Sequence, residues 1–143
     1  MDRSRRLWLG LSMFLALRPA GATPEALREA IAGFAAGTPV QRGRITLEIA
    51  PLVENGNAVP ISITVASPMT PQDHVREIAL FTEQNPQLEV LHCRLSSHAG
   101  RAEVSTRIRL ATSQQIVALA RLSDGSCWQA SADVVVTLAA CVE

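Results

Sequence analysis

The chain has 143 residues, enough for one domain, and its 13 arginines balance 13 acids for a formal net charge of zero. It contains no lysine and no tyrosine, with three phenylalanines and two tryptophans. It therefore lacks both the clustered positive charge of a nucleic-acid footprint and the aromatic platform on which bases stack, and its core must be aliphatic.

The N-terminus reads as an export signal. Arg3, Arg5 and Arg6 precede an apolar run of 11 residues from Leu7 to Leu17. That run is too short to span a bilayer, which takes about 20 residues. Ala20-Gly21-Ala22 offers small residues at the positions a signal peptidase reads, so cleavage is expected after Ala22. Ser4-Arg5-Arg6-Leu7-Trp8-Leu9, with Arg18 beyond the apolar run, fits a twin-arginine signal and export in a folded state. Without residues 1–22 the chain keeps nine arginines against twelve acids, a net charge of −3.

Residues 23–42 are expected to form a short helix and a linker. Thr23 can cap the helix and Pro24 suits its first position, where a missing N–H is harmless. Leu27, Ile31 and Phe34 recur on one apolar face, and the polar face is not basic, which favours packing on the body over a membrane role. Gly37 is expected to end the helix, with Pro39 preventing its continuation.

From Gly43 onward the period becomes two. Ile45, Leu47 and Ile49 alternate with polar residues, and Val59, Ile61, Ile63 and Val65 do the same. Glu54-Asn55-Gly56-Asn57 between them is a turn signal, since Asn-Gly readily takes positive φ. Pro60 has no N–H, so its strand is expected at a sheet edge or unpaired at that position. Ser67-Pro68-Met69-Thr70-Pro71 is a second break, Val75–Thr82 a strand, Asn85-Pro86 a turn, and residues 88–95 a further strand. Residues 96–100 read as a loop. Residues 101–110 alternate Ala102, Val104, Thr106, Ile108 and Leu110 with Arg101, Glu103, Ser105, Arg107 and Arg109. Residues 116–122 and 127–138 flank the hairpin turn Ser123-Asp124-Gly125-Ser126. About seven short strands with regular turns predict an all-β fold, an immunoglobulin-like antiparallel β-sandwich over residues 43–138.

The polar residues form no recognisable enzyme site. His74, His92 and His98 lack tight metal spacing, and neither a G-x-S-x-G elbow nor a glycine-rich phosphate loop is present. Glu48, Glu77 and Glu103 read as solvated strand residues, and the arginines at 101, 107 and 109 as a polar sheet face or a partner surface. In an oxidising compartment, three cysteines leave at least one without a partner in the chain. Cys93 and Cys127 lie in predicted strands and are either two buried thiols or one disulfide. Either way Cys141 is left over, on a tail that follows the last strand.

Several stretches resemble the SoxY family of sulfur carriers. Ile45-Thr46-Leu47-Glu48-Ile49, Glu54-Asn55-Gly56-Asn57-Ala58-Val59-Pro60-Ile61 and Ser67-Pro68-Met69-Thr70 are similar to its first hairpin and the break after it. Asn85-Pro86, the run from Gly100 to Ala111, Ser123-Asp124-Gly125-Ser126 and Val136-Thr137-Leu138 continue the likeness in order. The resemblance implies a periplasmic, immunoglobulin-like protein with no catalytic residues, cofactor or metal of its own. It pairs with a SoxZ-like subunit as a heterodimer. It carries the sulfur intermediates of thiosulfate oxidation covalently on Cys141, and residues 139–143 serve as the carrier arm. A c-type cytochrome complex, a sulfate-releasing hydrolase and a sulfane dehydrogenase of the Sox system act on that arm. The family's arm reads Gly-Gly-Cys-Gly-Gly, whereas this one reads Ala139-Ala140-Cys141-Val142-Glu143. Alanines and a β-branched valine narrow the backbone range, and Glu143 disfavours the thiolate. The alternative expectation is a non-carrying SoxY-like interaction protein that still binds a SoxZ-like partner.

Overall fold

The computed structural model describes residues 23–137. Thr23 caps α1 (Pro24–Ala35) by accepting a hydrogen bond from the Ala26 N–H at 3.1 Å, and Pro24 occupies the first turn. The left-handed cap falls on Ala36 (φ 50°), one residue before the expected Gly37, which also has positive φ. The Ala36 N–H donates to the Ala32 carbonyl at 3.0 Å, so an end carbonyl is satisfied even without glycine at that position.

Nine strands follow among the described residues: β1 (Val40–Arg42), β2 (Ile45–Ile49), β3 (Leu52–Val53), β4 (Val59–Val65), β5 (Val75–Thr82), β6 (Glu89–Arg94), β7 (Ala102–Ile108), β8 (Gln114–Leu122) and β9 (Cys127–Val136). The larger sheet runs β1-β9-β8-β5-β6, with β3 also on β9; the smaller runs β2-β4-β7. All pairs are antiparallel except β1–β9 and β3–β9, which are parallel. This is the expected all-β, immunoglobulin-like sandwich with a short N-terminal helix. The two parallel strands are additions to it. They span three and two residues, too few for a period-two pattern to register.

The faces follow the alternation. Val59, Ile61, Ile63 and Val65 of β4 pack across the sandwich with Ile78 and Leu80 of β5 and with Ile116, Ala118, Ala120 and Leu122 of β8. The opposite face of the larger sheet presents Ala79, Phe81, Val117 and Leu119 to Leu27, Ala30, Ile31 and Phe34 of α1. A buried aliphatic side chain of this kind contributes roughly 1.5–3 kcal/mol.

Two local expectations are refined. β4 is the central strand of its sheet, so of the two alternatives for Pro60 the edge strand fails and the unpaired position holds, on the β2 side. Pro60 is tolerated because the β2 ladder ends at Ile49 opposite Ile61, one residue short of Pro60. Gly56 does not take positive φ. It is required for space instead, since a Cβ there would overlap the Leu110 carbonyl oxygen, and its own carbonyl accepts the Leu110 N–H at 2.7 Å.

Cys93 and Cys127 are both free thiols. Cys93 lies opposite Ile78, on the face toward the sandwich core, whereas Cys127 lies opposite Arg121, on the face toward α1. They also sit three strands apart, about 14 Å at ordinary strand spacing. A disulfide needs Cα atoms within about 7 Å, so the sheet forbids this one. Burial pushes the Cys127 thiol above its usual pKa, partly offset by the Arg121 guanidinium. Mass spectrometry of the native chain should therefore show fast alkylation at half-buried Cys93 and none at Cys127 until the protein is unfolded. Reduction should leave the mass at these two positions unchanged.

Candidate functional site

Cys141 and its neighbours Ala139, Ala140, Val142 and Glu143 lie outside the described residues, as do the expected signal segment and its cleavage site. What the structure does describe is the ground from which that tail departs. β9 is held on both sides up to its last residues. On one side the β3 strand runs parallel to it, with the Val135 N–H donating to the Pro51 carbonyl at 2.8 Å and the Thr137 N–H to the Val53 carbonyl at 2.9 Å. The Thr137 hydroxyl adds a second donor to the Val53 carbonyl at 3.3 Å. On the other side Ser113 closes the ladder. Its hydroxyl accepts the Val136 N–H at 2.8 Å and donates to the Val136 carbonyl at 3.4 Å.

Ser113 is positioned by a buried amide pair beneath it. Asn85 and Gln114 are each only 6% exposed. Asn85 Oδ1 accepts from Gln114 Nε2 at 2.8 Å and from the Ala111 N–H at 2.9 Å, while Asn85 Nδ2 donates to the Arg109 carbonyl at 2.7 Å. Gln114 also donates to the Thr112 carbonyl at 3.0 Å and accepts the Gln84 N–H at 2.9 Å. The two side chains thus partner three part-buried backbone groups of the 109–112 loop, the Arg109 and Thr112 carbonyls and the Ala111 N–H, while the Leu110 N–H goes to the Gly56 carbonyl. The Asn85-Pro86 turn, expected only as a turn, is the centre of this network.

Two surfaces flank Thr137. One is a cleft of about 390 Å³ lined by Glu54, Asn57, Arg109, Leu110, Val136 and Thr137. The other is an apolar pair, Leu52 and Val135, which are directly opposite in the β3–β9 register and are 58% and 51% exposed. The root of the tail is therefore a rigid strand end beside an exposed hydrophobic spot.

The other polar residues fall elsewhere. Glu48 of β2 and Glu103 of β7 are exposed as expected, but Glu77 is not the isolated solvated acid expected. Glu77 holds Arg94 at 3.5 Å and Arg121 at 3.4 Å, and lies 3.6 Å from His92 Nε2. Glu103 pairs with Arg101 at 3.4 Å. Arg101, Arg107 and Arg109 follow β7, an edge of the smaller sheet. The three histidines stay apart: His74 Nδ1 contacts the Thr70 carbonyl at 3.0 Å, His92 lies between Glu77 and Glu89, and His98 sits in the turn Ser97–Ala99. Among the described residues no group of three His, Cys, Asp or Glu side chains is placed to hold a metal.

Comparison with known proteins places this architecture. The family model for sulfur oxidation protein SoxY matches residues 31–141. Among solved structures, the chain is similar to the sulfur carrier protein SoxY from Chlorobium limicola f thiosulfatophilum, with 26% identity and a TM-score of 0.65 over 78% of this chain and 96% of that one. A superoxide reductase (neelaredoxin) from Ignicoccus hospitalis shares the fold at 16% identity and a TM-score of 0.59, over 81% of this chain and 94% of that one. A superoxide reductase from Nanoarchaeum equitans does so at 13% identity and 0.57, over 67% and 100%. No curated protein matches the chain. The family match spans both sheets and continues through the tail to residue 141, and the chain belongs to the SoxY family of sulfur oxidation proteins.

Proposed function

We propose that the chain is a sulfur carrier of thiosulfate oxidation that works in the periplasm and holds its cargo on Cys141. The observation that carries this reading is the coincidence of the family match, which runs to residue 141, with a β9 end clamped as far as Thr137. Cys141 lies four chain steps beyond Thr137, so the thiol can be presented up to about 14 Å from a fixed root. Residues 139–143 act as the arm.

The chemistry belongs to partners, and the chain supplies a nucleophile and its delivery. In the first step the Cys141 thiolate is joined to the sulfane sulfur of thiosulfate. One S–S bond forms and two electrons pass to a c-type cytochrome complex. In the second, a hydrolase adds water across the terminal S–SO₃ bond, which releases sulfate and two protons and leaves a persulfide on Cys141. A sulfane dehydrogenase then oxidises the outer sulfur to a sulfonate, with three waters supplying the oxygens, six protons released and six electrons passed to that enzyme's electron acceptor. A SoxZ-like subunit completes a heterodimer. The exposed Leu52 and Val135 pair beside the arm root suits a partner that must grip the body while it receives the thiol.

The departure of Ala139-Ala140-Cys141-Val142-Glu143 from a glycine-flanked arm favours one second reading, a SoxY-like protein that binds its SoxZ-like partner without carrying sulfur. Intact mass of the protein purified from cells oxidising thiosulfate separates the two. The carrier gives a reducible thiosulfonate or sulfane adduct that fragmentation maps to Cys141. A bare thiol at that position throughout active oxidation supports the non-carrying reading.

A further inference from the structure

A second polar site sits at the end of the larger sheet remote from the arm. It originates in a β-bulge. On the β8 side Val75 pairs with Leu122 and Glu77 with Arg121, leaving Arg76 as the extra residue. Val75 and Ile78 both face the sandwich core. Regular alternation would turn Glu77 inward between them; the bulge instead turns Arg76 and Glu77 together onto the outer face. The neighbouring strands add Arg94 from β6 and Arg121 from β8, each opposite Glu77 in register. These side chains line an open cleft of about 660 Å³, with Ser97 and His74 at its rim.

The charges in this cleft are unequal. Glu77 bridges Arg94 and Arg121 at 3.5 and 3.4 Å, and the Arg121 guanidinium also donates to the Phe34 carbonyl and lies over the Phe34 ring. Arg121 is thus fixed in place, with Glu77 as its positioning residue. Arg76 takes part in no ion pair among the described residues. Three guanidinium groups face one carboxylate, which leaves two positive charges over in a cleft that also offers a serine hydroxyl. Guanidinium donors match the oxygen spacing of tetrahedral oxoanions, and an excess of two charges is neutralised by a dianion.

We propose that this cleft is a non-covalent site for a tetrahedral dianion of the sulfate class, with Arg76, Arg94 and Arg121 as its ligands. Arg121 lies seven steps along β8 from Gln114 at the arm end, about 24 Å along a strand. That exceeds the arm's own reach, so the site is distinct from Cys141 and does not depend on the carrier reading.

Calorimetric titration of the purified chain with sodium sulfate, against sodium chloride at matched ionic strength, tests it. One saturable sulfate site per chain is expected, with thiosulfate competing for it. Arg76→Ala should weaken binding by about tenfold, the loss of one charge-assisted contact, while leaving the thermal melt in chloride unchanged. Cys141→Ser should bind sulfate normally, which keeps this result separate from the carrier test. Absence of saturable binding, or equal binding by the Arg76 variant, overturns the proposal. A poly-glutamate peptide that binds where sulfate does not, and loses binding in Arg76→Ala, would overturn it in favour of an acidic protein partner.

Discussion

Cys141→Ser is expected to reduce thiosulfate oxidation, reconstituted with the Sox enzymes, to the level seen without the chain. The effect should be total because the step requires a sulfur–sulfur bond. A serine hydroxyl is not deprotonated near neutral pH and forms no persulfide, so neither the attachment nor any later step has a substrate. The sandwich should be untouched. Its ladder is complete at Thr137, four residues before the substitution, and the contacts that hold Val135, Val136 and Thr137 come from Pro51, Val53 and Ser113. Thermal stability and affinity for a SoxZ-like subunit should therefore match the parent. Oxidation that continues at the parental rate would refute the carrier role. Loss of partner binding alongside oxidation would show that the tail also contributes to the interface. Cys93→Ser is the companion control and should leave oxidation unchanged, since Cys93 lies on strand β6, at the edge of the larger sheet, and not on the arm.

The larger features were legible in the residues because they depend on periodicity. β5 was foreseen with its observed bounds, and β4 and β8 with theirs to within two residues, since each is a run of inward aliphatic residues long enough to set a period. Thr23-Pro24 marked the helix start for local reasons that tertiary packing did not override. Three features were not legible. The β1 and β3 strands are parallel to β9 from distant positions in sequence, and strands of two or three residues carry no pattern. The Arg76 bulge is a mismatch between two strands, so neither strand reveals it alone, and Glu77 was accordingly read as a lone solvated acid. A hint was present: residues 75–78 read apolar, charged, charged, apolar, which breaks strict alternation inside a strand. The Cys93–Cys127 question needed strand order and face. Both positions were foreseen as strand residues, but only the register puts them on opposite sides of one sheet.

Asn85→Ala should be among the most destabilising single substitutions in the chain although it removes no hydrophobic surface. The Asn85 amide links three groups: the Arg109 carbonyl, the Ala111 N–H and the Gln114 side chain. Truncation leaves a part-buried backbone donor and a part-buried backbone acceptor without their partner. It also frees the Gln114 amide, which still has the Thr112 carbonyl and the Gln84 N–H. An unsatisfied buried polar group costs about 1–3 kcal/mol, so a loss of roughly 3 kcal/mol is expected for the set. In a domain of this size that lowers the melting temperature by roughly 10 °C. The consequence extends to the arm. The 109–112 loop leads into Ser113, whose hydroxyl pins both polar groups of Val136. Amide hydrogen exchange should therefore quicken at Ala111 and Val136 in the variant by more than at Ile61 or Leu80 in the core. Gln114→Ala, which leaves Asn85 its two backbone partners, should cost less than Asn85→Ala. If the two substitutions cost the same, Asn85 is not the hub of the network.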